Sequence, residues 1–197
     1  MAQALTFLCI STYFKGNDFL KALKDSGNKV FLITAKKLEH KPWVREAVDE
    51  FFYVEEGEDG KYNMNEIING LAYVMRDRPI DRVVALDDFD VEKAAHIREY
   101  FRIPGMGQTT GRYFRDKLAM RTKAAESGIL VPGFSALFND EAINQFIEKY
   151  PGPWMIKPRS EASATGIKKM ENAAEYTQND RSDPQGKKNS QEMGQGI

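Results

Sequence analysis

Residues 111–170 read GRYFRDKLAMRTKAAESGILVPGFSALFNDEAINQFIEKYPGPWMIKPRSEASATGIKKM, and two lysines organise this stretch. Lys117 heads an amphipathic segment in which Leu118, Arg121, Thr122 and Ala125 recur at helical spacing. Thr109 or Thr110 is the expected cap upstream, and Gly128 is the expected stop. SGILVPGF should deliver a strand after a proline-set turn. Asp140–Tyr150 should form a helix with Ile143, Phe146 and Ile147 inward. Lys157 closes the short apolar strand WMIKP, and Pro158, which has no N–H to give a ladder, leaves that lysine at the strand end. RSEASATG then supplies small residues before GIKKM returns as the partner strand of a hairpin. Point charges from two elements, beside a turn whose backbone N–H groups no bulky side chain covers, suit the gripping of an anionic phosphate chain.

Upstream, strands and helices alternate. LTFLCIS (5–11) is a short apolar run of the kind buried on both faces of a sheet. DFLKALKDSG follows, with Phe19, Leu20 and Leu23 on one helical face and Gly27 as the stop. KVFLIT (29–34) reads as a second buried strand, a short helix is expected around Trp43–Val48, and EFFYVE (50–55) reads as a third strand. NEIINGLAYVMRD makes a helix with Ile67, Ile68, Leu71, Val74 and Met75 as its buried stripe. RVVALDD is a fourth strand and VEKAAHIREYF a fourth helix, ending near Ile103 and Pro104. This order implies βαβ units in a doubly wound, Rossmann-like parallel sheet over residues 1–104. A partial α+β unit with its linker helix is expected over 105–170.

Composition narrows the function classes. The 197 residues are 42% hydrophobic, enough to bury a core. Their 28 basic and 29 acidic residues nearly cancel, with a sequence pI near 6.2. Neither a basic excess nor a basic block is present, so no nucleic-acid partner and no membrane surface are expected. No apolar run approaches the roughly 18 residues of a membrane span. The single cysteine, Cys9, lies in an apolar run and reads as a buried, inert thiol. Without an internal disulfide or a basic n-region before the first apolar stretch, a cytoplasmic location is expected.

Other sites are weighed and set aside. The turn after the first strand, STYFKGND, holds one glycine, Gly16, where a dinucleotide fingerprint needs three. Gly105, Gly107 and Gly111 follow the fourth helix with the wrong spacing, and Pro104 makes a structural turn the better reading. Asp87, Asp88 and Asp90 lie where ligands meet a parallel sheet, but Asp88 or Asp90 is first expected to cap the helix beginning near Val91. A substrate or metal role for the three is the lesser reading. His40 and His96 belong to no constellation. No catalytic triad, zinc spacing or Walker-type loop is present.

The paired lysines, the loop and the preceding domain together resemble the ATP-grasp superfamily of ATP-dependent carboxylate–amine ligases, over residues 1–170. The resemblance implies that Lys117, in an R-D-K helix start, and Lys157, in a strand ending K-P, contact nucleotide phosphates. It implies equally that Ser160, Glu161, Ala162, Ser163, Ala164 and Gly166 form the loop folded over those phosphates. ATP is the implied cofactor, with a small-molecule carboxylate and an amine as the substrates of a full-length parent, joined through an acylphosphate. Mg2+ is expected in such a parent. Its acidic ligands and the adenine hinge would follow Met170, where this chain instead reads ENAAEYTQNDRSDPQGKKNSQEMGQGI. That composition suggests a disordered tail over 171–197. The expectation is an incomplete chain, not catalytic alone and with no assigned catalytic or metal-binding residue. The alternative is a non-catalytic nucleotide-binding or regulatory α/β module.

Overall fold

A computed structural model describes residues 4–58, 60–160, 166–175 and 191–195. The chain divides into two compact units, residues 1–111 and 112–197. The short helix α4 (Gln108–Arg112) spans the boundary.

The first unit is a four-stranded parallel sheet of β1 (Thr6–Ser11), β2 (Lys29–Ala35), β3 (Glu50–Val54) and β4 (Arg82–Ala85), in the order β3-β2-β1-β4. Three helices connect the strands or follow them: α1 (Asn17–Asp25), α2 (Met64–Val74) and α3 (Val91–Phe101). The two central strands carry apolar runs, Phe7–Ile10 and Val30–Ile33, because both sheet faces are covered. Leu8, Ile10, Phe31 and Ile33 pack against Ile67, Ile68, Leu71 of α2 and Ala94, Ile97 of α3. On the other face, Cys9, Val30 and Leu32 pack with Leu20 of α1 and with Trp43 and Val48. The doubly wound reading therefore holds. Three local expectations do not. Phe19 is 41% exposed rather than on the buried face of α1. The helix expected around Trp43–Val48 shrinks to one 3-10 turn at Arg45–Ala47. Met75 is only partly buried. Burial lifts the Cys9 thiol to about 12, consistent with an inert core residue.

The second unit holds α5 (Lys117–Glu126), β5 (Phe134–Ala136), α6 (Asp140–Lys149), β6 (Trp154–Pro158), β7 (Lys168–Met170) and β8 (Gln191–Gln195). The β6–β7 hairpin forms as expected. The helix expected to run unbroken from Thr109 through Tyr113 does not. It breaks after Arg112, and Asp116 takes the cap of α5 by accepting from the N–H of Leu118 and Ala119. Ile129 and Leu130, expected in or beside a strand, are 61% and 97% exposed, and β5 begins only at Phe134.

The largest departure is β8. The tail expected to be disordered from 171 onward supplies a strand at Gln191–Gln195, inserted antiparallel between β5 and β6 to give the order β5-β8-β6-β7. Residues 176–190 lie outside the described residues. Strand alternation explains how so polar a segment pairs. Met193 drops fully buried into the core with Ile143, Phe146, Trp154 and Ile156, while Glu192 and Gly194 take the opposite face.

Candidate functional site

That opposite face of the second sheet carries Lys157, because Trp154 and Ile156 are committed to the core and alternation turns the lysine away from it. Glu192 pairs with Lys157 in the β6–β8 register and shares its face. Gly194 sits next along that face of β8. A Cβ there would lie 2.6 Å from Nη1 of Arg121, so the missing side chain is what admits the α5 guanidinium over the sheet.

Lys117 joins this corner through α5. Its backbone N–H donates to the carbonyl of Arg159 at 2.9 Å, and its Nζ donates to the carbonyls of Pro158 at 3.0 Å and Arg159 at 3.4 Å. The first lysine is thus anchored on the strand end that carries the second. Asp116 reinforces the junction. Its carboxylate caps α5 and also accepts from Nε of Arg159 at 2.9 Å and from Nη2 of the same guanidinium. Arg115 donates to the carbonyl of Ser160. Gly166 returns beside the same proline, with φ at 72° and room for a Cβ only 3.0 Å from Pro158. Glu161, Ala162, Ser163 and Ala164, the remainder of the predicted loop, lie outside the described residues.

Charge is unevenly satisfied here. Burial alone would raise the Asp116 carboxyl, but the Arg159 guanidinium and the capping N–H groups outweigh it and hold the group below the ordinary carboxylate range. Glu192 behaves oppositely. It is fully buried, neither carboxylate oxygen has a hydrogen-bond partner among the described residues, and burial pushes its carboxyl up despite Arg121, Lys157 and Lys117. Arg121 approaches it at 3.3 Å without hydrogen-bond alignment, which is why the ion pair fails to win. Arg121, Lys157 and Lys117 are thus the cations that act on the buried Glu192 carboxylate. Glu192 went unread in the sequence because one apolar residue in QEMGQ gives no strand signal.

The carboxyl rim of the first sheet is built differently. The turns after β1 and β4 are stitched together in opposite order, Thr12 to Asp90, Tyr13 to Phe89, Lys15 to Asp87 and Gly16 to Leu86. Thr12 donates to Asp90 through its N–H at 2.7 Å and its hydroxyl at 2.6 Å. The rings of Tyr13 and Phe89 stack with centroids 4.8 Å apart. Lys15 pairs with Asp87. Gly16, at φ 97°, leaves its missing Cβ position 2.5 Å from Leu86. Burial would raise Asp87, yet Lys15 and the Phe89 N–H lower it below the usual range. Asp90 occupies the cap position of α3 without capping it, because its carboxylate is taken by Thr12 and by Lys93 at 2.9 Å. Lys93 also lies over the Tyr62 ring, and burial together with Glu56 pushes the Tyr62 phenol up. Asp87 and Asp90 are therefore engaged in cross-links between the two turns, and neither caps α3. Among the described residues no group of three or more His, Cys, Asp or Glu could hold a metal ion, and no helix is long and apolar enough to cross a membrane.

No family model matches the sequence. An 85-residue segment, 43% of this chain, is 33% identical to the L-arginine-specific L-amino acid ligase of Bacillus subtilis, of which it covers 21%. The whole chain superposes on the L-amino acid ligase of Bacillus licheniformis with a TM-score of 0.69 at 17% identity, covering 45% of that protein. It also superposes on the biotin carboxylase domain of the Hydrogenobacter thermophilus 2-oxoglutarate carboxylase, solved with MgADP, ADP and bicarbonate. There the TM-score is 0.71 at 16% identity, over 45% of that chain. The chain thus spans less than half the length of the solved structures it matches.

Proposed function

We propose that this chain, which carries the fold of the N-terminal part of ATP-grasp ligases, supplies the phosphate-gripping half of an ATP site. The whole protein would then be a carboxylate–amine ligase. One observation carries the reading: Lys117, Lys157 and Arg121, from two different elements, converge on one corner of the second sheet around Glu192. Positive charge held by a helix start and a strand end is suited to a polyanion. Ser160 and Gly166 lie at that strand end, and in this reading the small residues between them add backbone N–H contacts to phosphate oxygens.

In the whole protein, a substrate carboxylate oxygen attacks the γ-phosphorus of ATP. The bond to the bridging oxygen breaks, ADP leaves, and an acylphosphate remains. An amine then attacks the acyl carbon and expels phosphate, forming the C–N bond. In this scheme Lys117 and Lys157 bind and orient the phosphates and disperse the charge on the departing ADP. An amino acid is the favoured carboxylate, because the sequence-level relative is an amino acid ligase.

Titration calorimetry of the 197-residue chain with ATP tests the reading. Lys117→Ala and Lys157→Ala should each weaken binding about tenfold, the low end of the 1.5–3 kcal/mol for a hydrogen bond to a charged group, since both lysines are partly open to water. Affinity unchanged by both substitutions removes the phosphate-gripping role.

A further inference from the structure

The nucleotide-facing lysines do not position themselves. Lys117 sits at the first turn of α5, and Lys157 one residue before the end of β6. These elements are far apart in sequence, so something must hold the helix start on the strand end. The contacts that do so are concentrated in two short segments, Arg115–Lys117 and Pro158–Ser160. Asp116 stands between them with two commitments: one oxygen accepts from the α5 N–H groups, and both oxygens accept from the Arg159 guanidinium. Asp116 is 5% exposed, whereas the Arg159 side chain keeps 25% of its surface. The carboxylate is buried for the junction, and the guanidinium reaches in to meet it. The planar fork adds direction that a point charge lacks.

We propose that Asp116 and Arg159 form a latch that sets the spacing of Lys117 and Lys157, making both of them positioning residues for the phosphate grip. The inference rests on the reading of those two lysines as phosphate-binding groups. When the latch is closed, the Arg159 carbonyl takes the Lys117 N–H and the Pro158 carbonyl takes the Lys117 ammonium. The first lysine is then locked to the backbone of the strand that bears the second. When it is open, α5 keeps its own cap if residue 116 can still accept from Leu118 and Ala119, but its start is free to shift along β6. Both lysines survive such a change, and their shared geometry does not.

Asp116→Asn separates the two commitments, because asparagine caps helices as well as aspartate but removes the negative charge that residue 116 offers the guanidinium. Arg159→Lys keeps the charge and loses the fork. ATP itself is the probe, added to the full 197-residue chain by calorimetry at a temperature well below the thermal midpoint of every variant. Asp116→Asn should weaken binding about tenfold, a difference of 1.4 kcal/mol. Arg159→Lys should fall between it and the wild type. Asp116→Asn combined with Arg159→Met should be no weaker than Asp116→Asn alone, because the two side chains act as one unit. Ile143→Val, which loosens the core on the other face of the same sheet, should keep wild-type affinity.

Wild-type affinity in Asp116→Asn and Arg159→Lys, with loss in Lys117→Ala, overturns the latch and leaves the lysine reading standing. A loss in Ile143→Val as large as that in Asp116→Asn overturns it too, since the effect would then be general loosening. A wild-type chain that binds no ATP overturns both readings together.

Discussion

The two sheets handle charge in opposite ways. At the rim of the parallel sheet every acidic side chain with a defined partner is engaged across the turn: Asp87 with Lys15, and Asp90 with Thr12 and Lys93. On the face of the antiparallel sheet that Arg121 of α5 covers, Arg121, Lys117 and Lys157 gather around Glu192, whose oxygens find no hydrogen bond among the described residues. Polar groups that satisfy one another serve the fold, and groups left under-satisfied in a buried corner are held at a free-energy cost.

The sharpest way to break this comparison is Asp90→Ala. If the rim is structural, removing a fully buried acceptor of three hydrogen bonds strands Thr12 and Lys93. Stability should fall by about 3 kcal/mol, the lower bound for breaking a buried pair because Lys93 retains some solvent. Urea unfolding of the first unit measures it, and a loss under about 1 kcal/mol would mean that the rim charges are spare, as a ligand site requires.

Gly16→Ala tests the same stitching through backbone rather than charge. A left-handed φ and a 2.5 Å approach to Leu86 should together cost about 2 kcal/mol, seen as a lower unfolding midpoint.

The smallest expected effect has the opposite sign. Glu192 has a raised carboxyl in the fold, so its contribution favours folding below the ordinary carboxylate range and is lost as pH rises through the raised value. Glu192→Gln should therefore stabilise the chain at neutral pH by about 1 kcal/mol, with the difference closing on acidification towards pH ~4. Asp116 runs the other way: its depressed carboxyl supports folding above the ordinary range, and that support fades as pH drops through the lowered value. Thermal melts from neutral to acid pH of wild type, Glu192→Gln and Asp116→Asn would separate the two. Destabilisation by Glu192→Gln at neutral pH would show that its cations already neutralise it, which removes the asymmetry between the sheets.

Local pattern in the chain by itself determined the alternating α/β unit, the stripe of Ile67, Ile68, Leu71 and Val74, the hairpin of WMIKP with GIKKM, and the placing of Lys157 at a strand end. Each depends on residues within a few positions of one another, where periodicity, proline and glycine act directly. Tertiary structure alone decided the rest. It chose Asp116 over Thr109 or Thr110 as the cap of α5, because Arg159, distant in sequence, rewards a carboxylate there. It turned Asp90 from a cap into a cross-link, because Thr12 presents two donors to it. It made a strand of Gln191–Gln195, because β5 and β6 offered open edges and a core position that Met193 fills. In all three cases the deciding partner is remote in the chain, and the energy of the choice lies in a contact that local pattern does not encode.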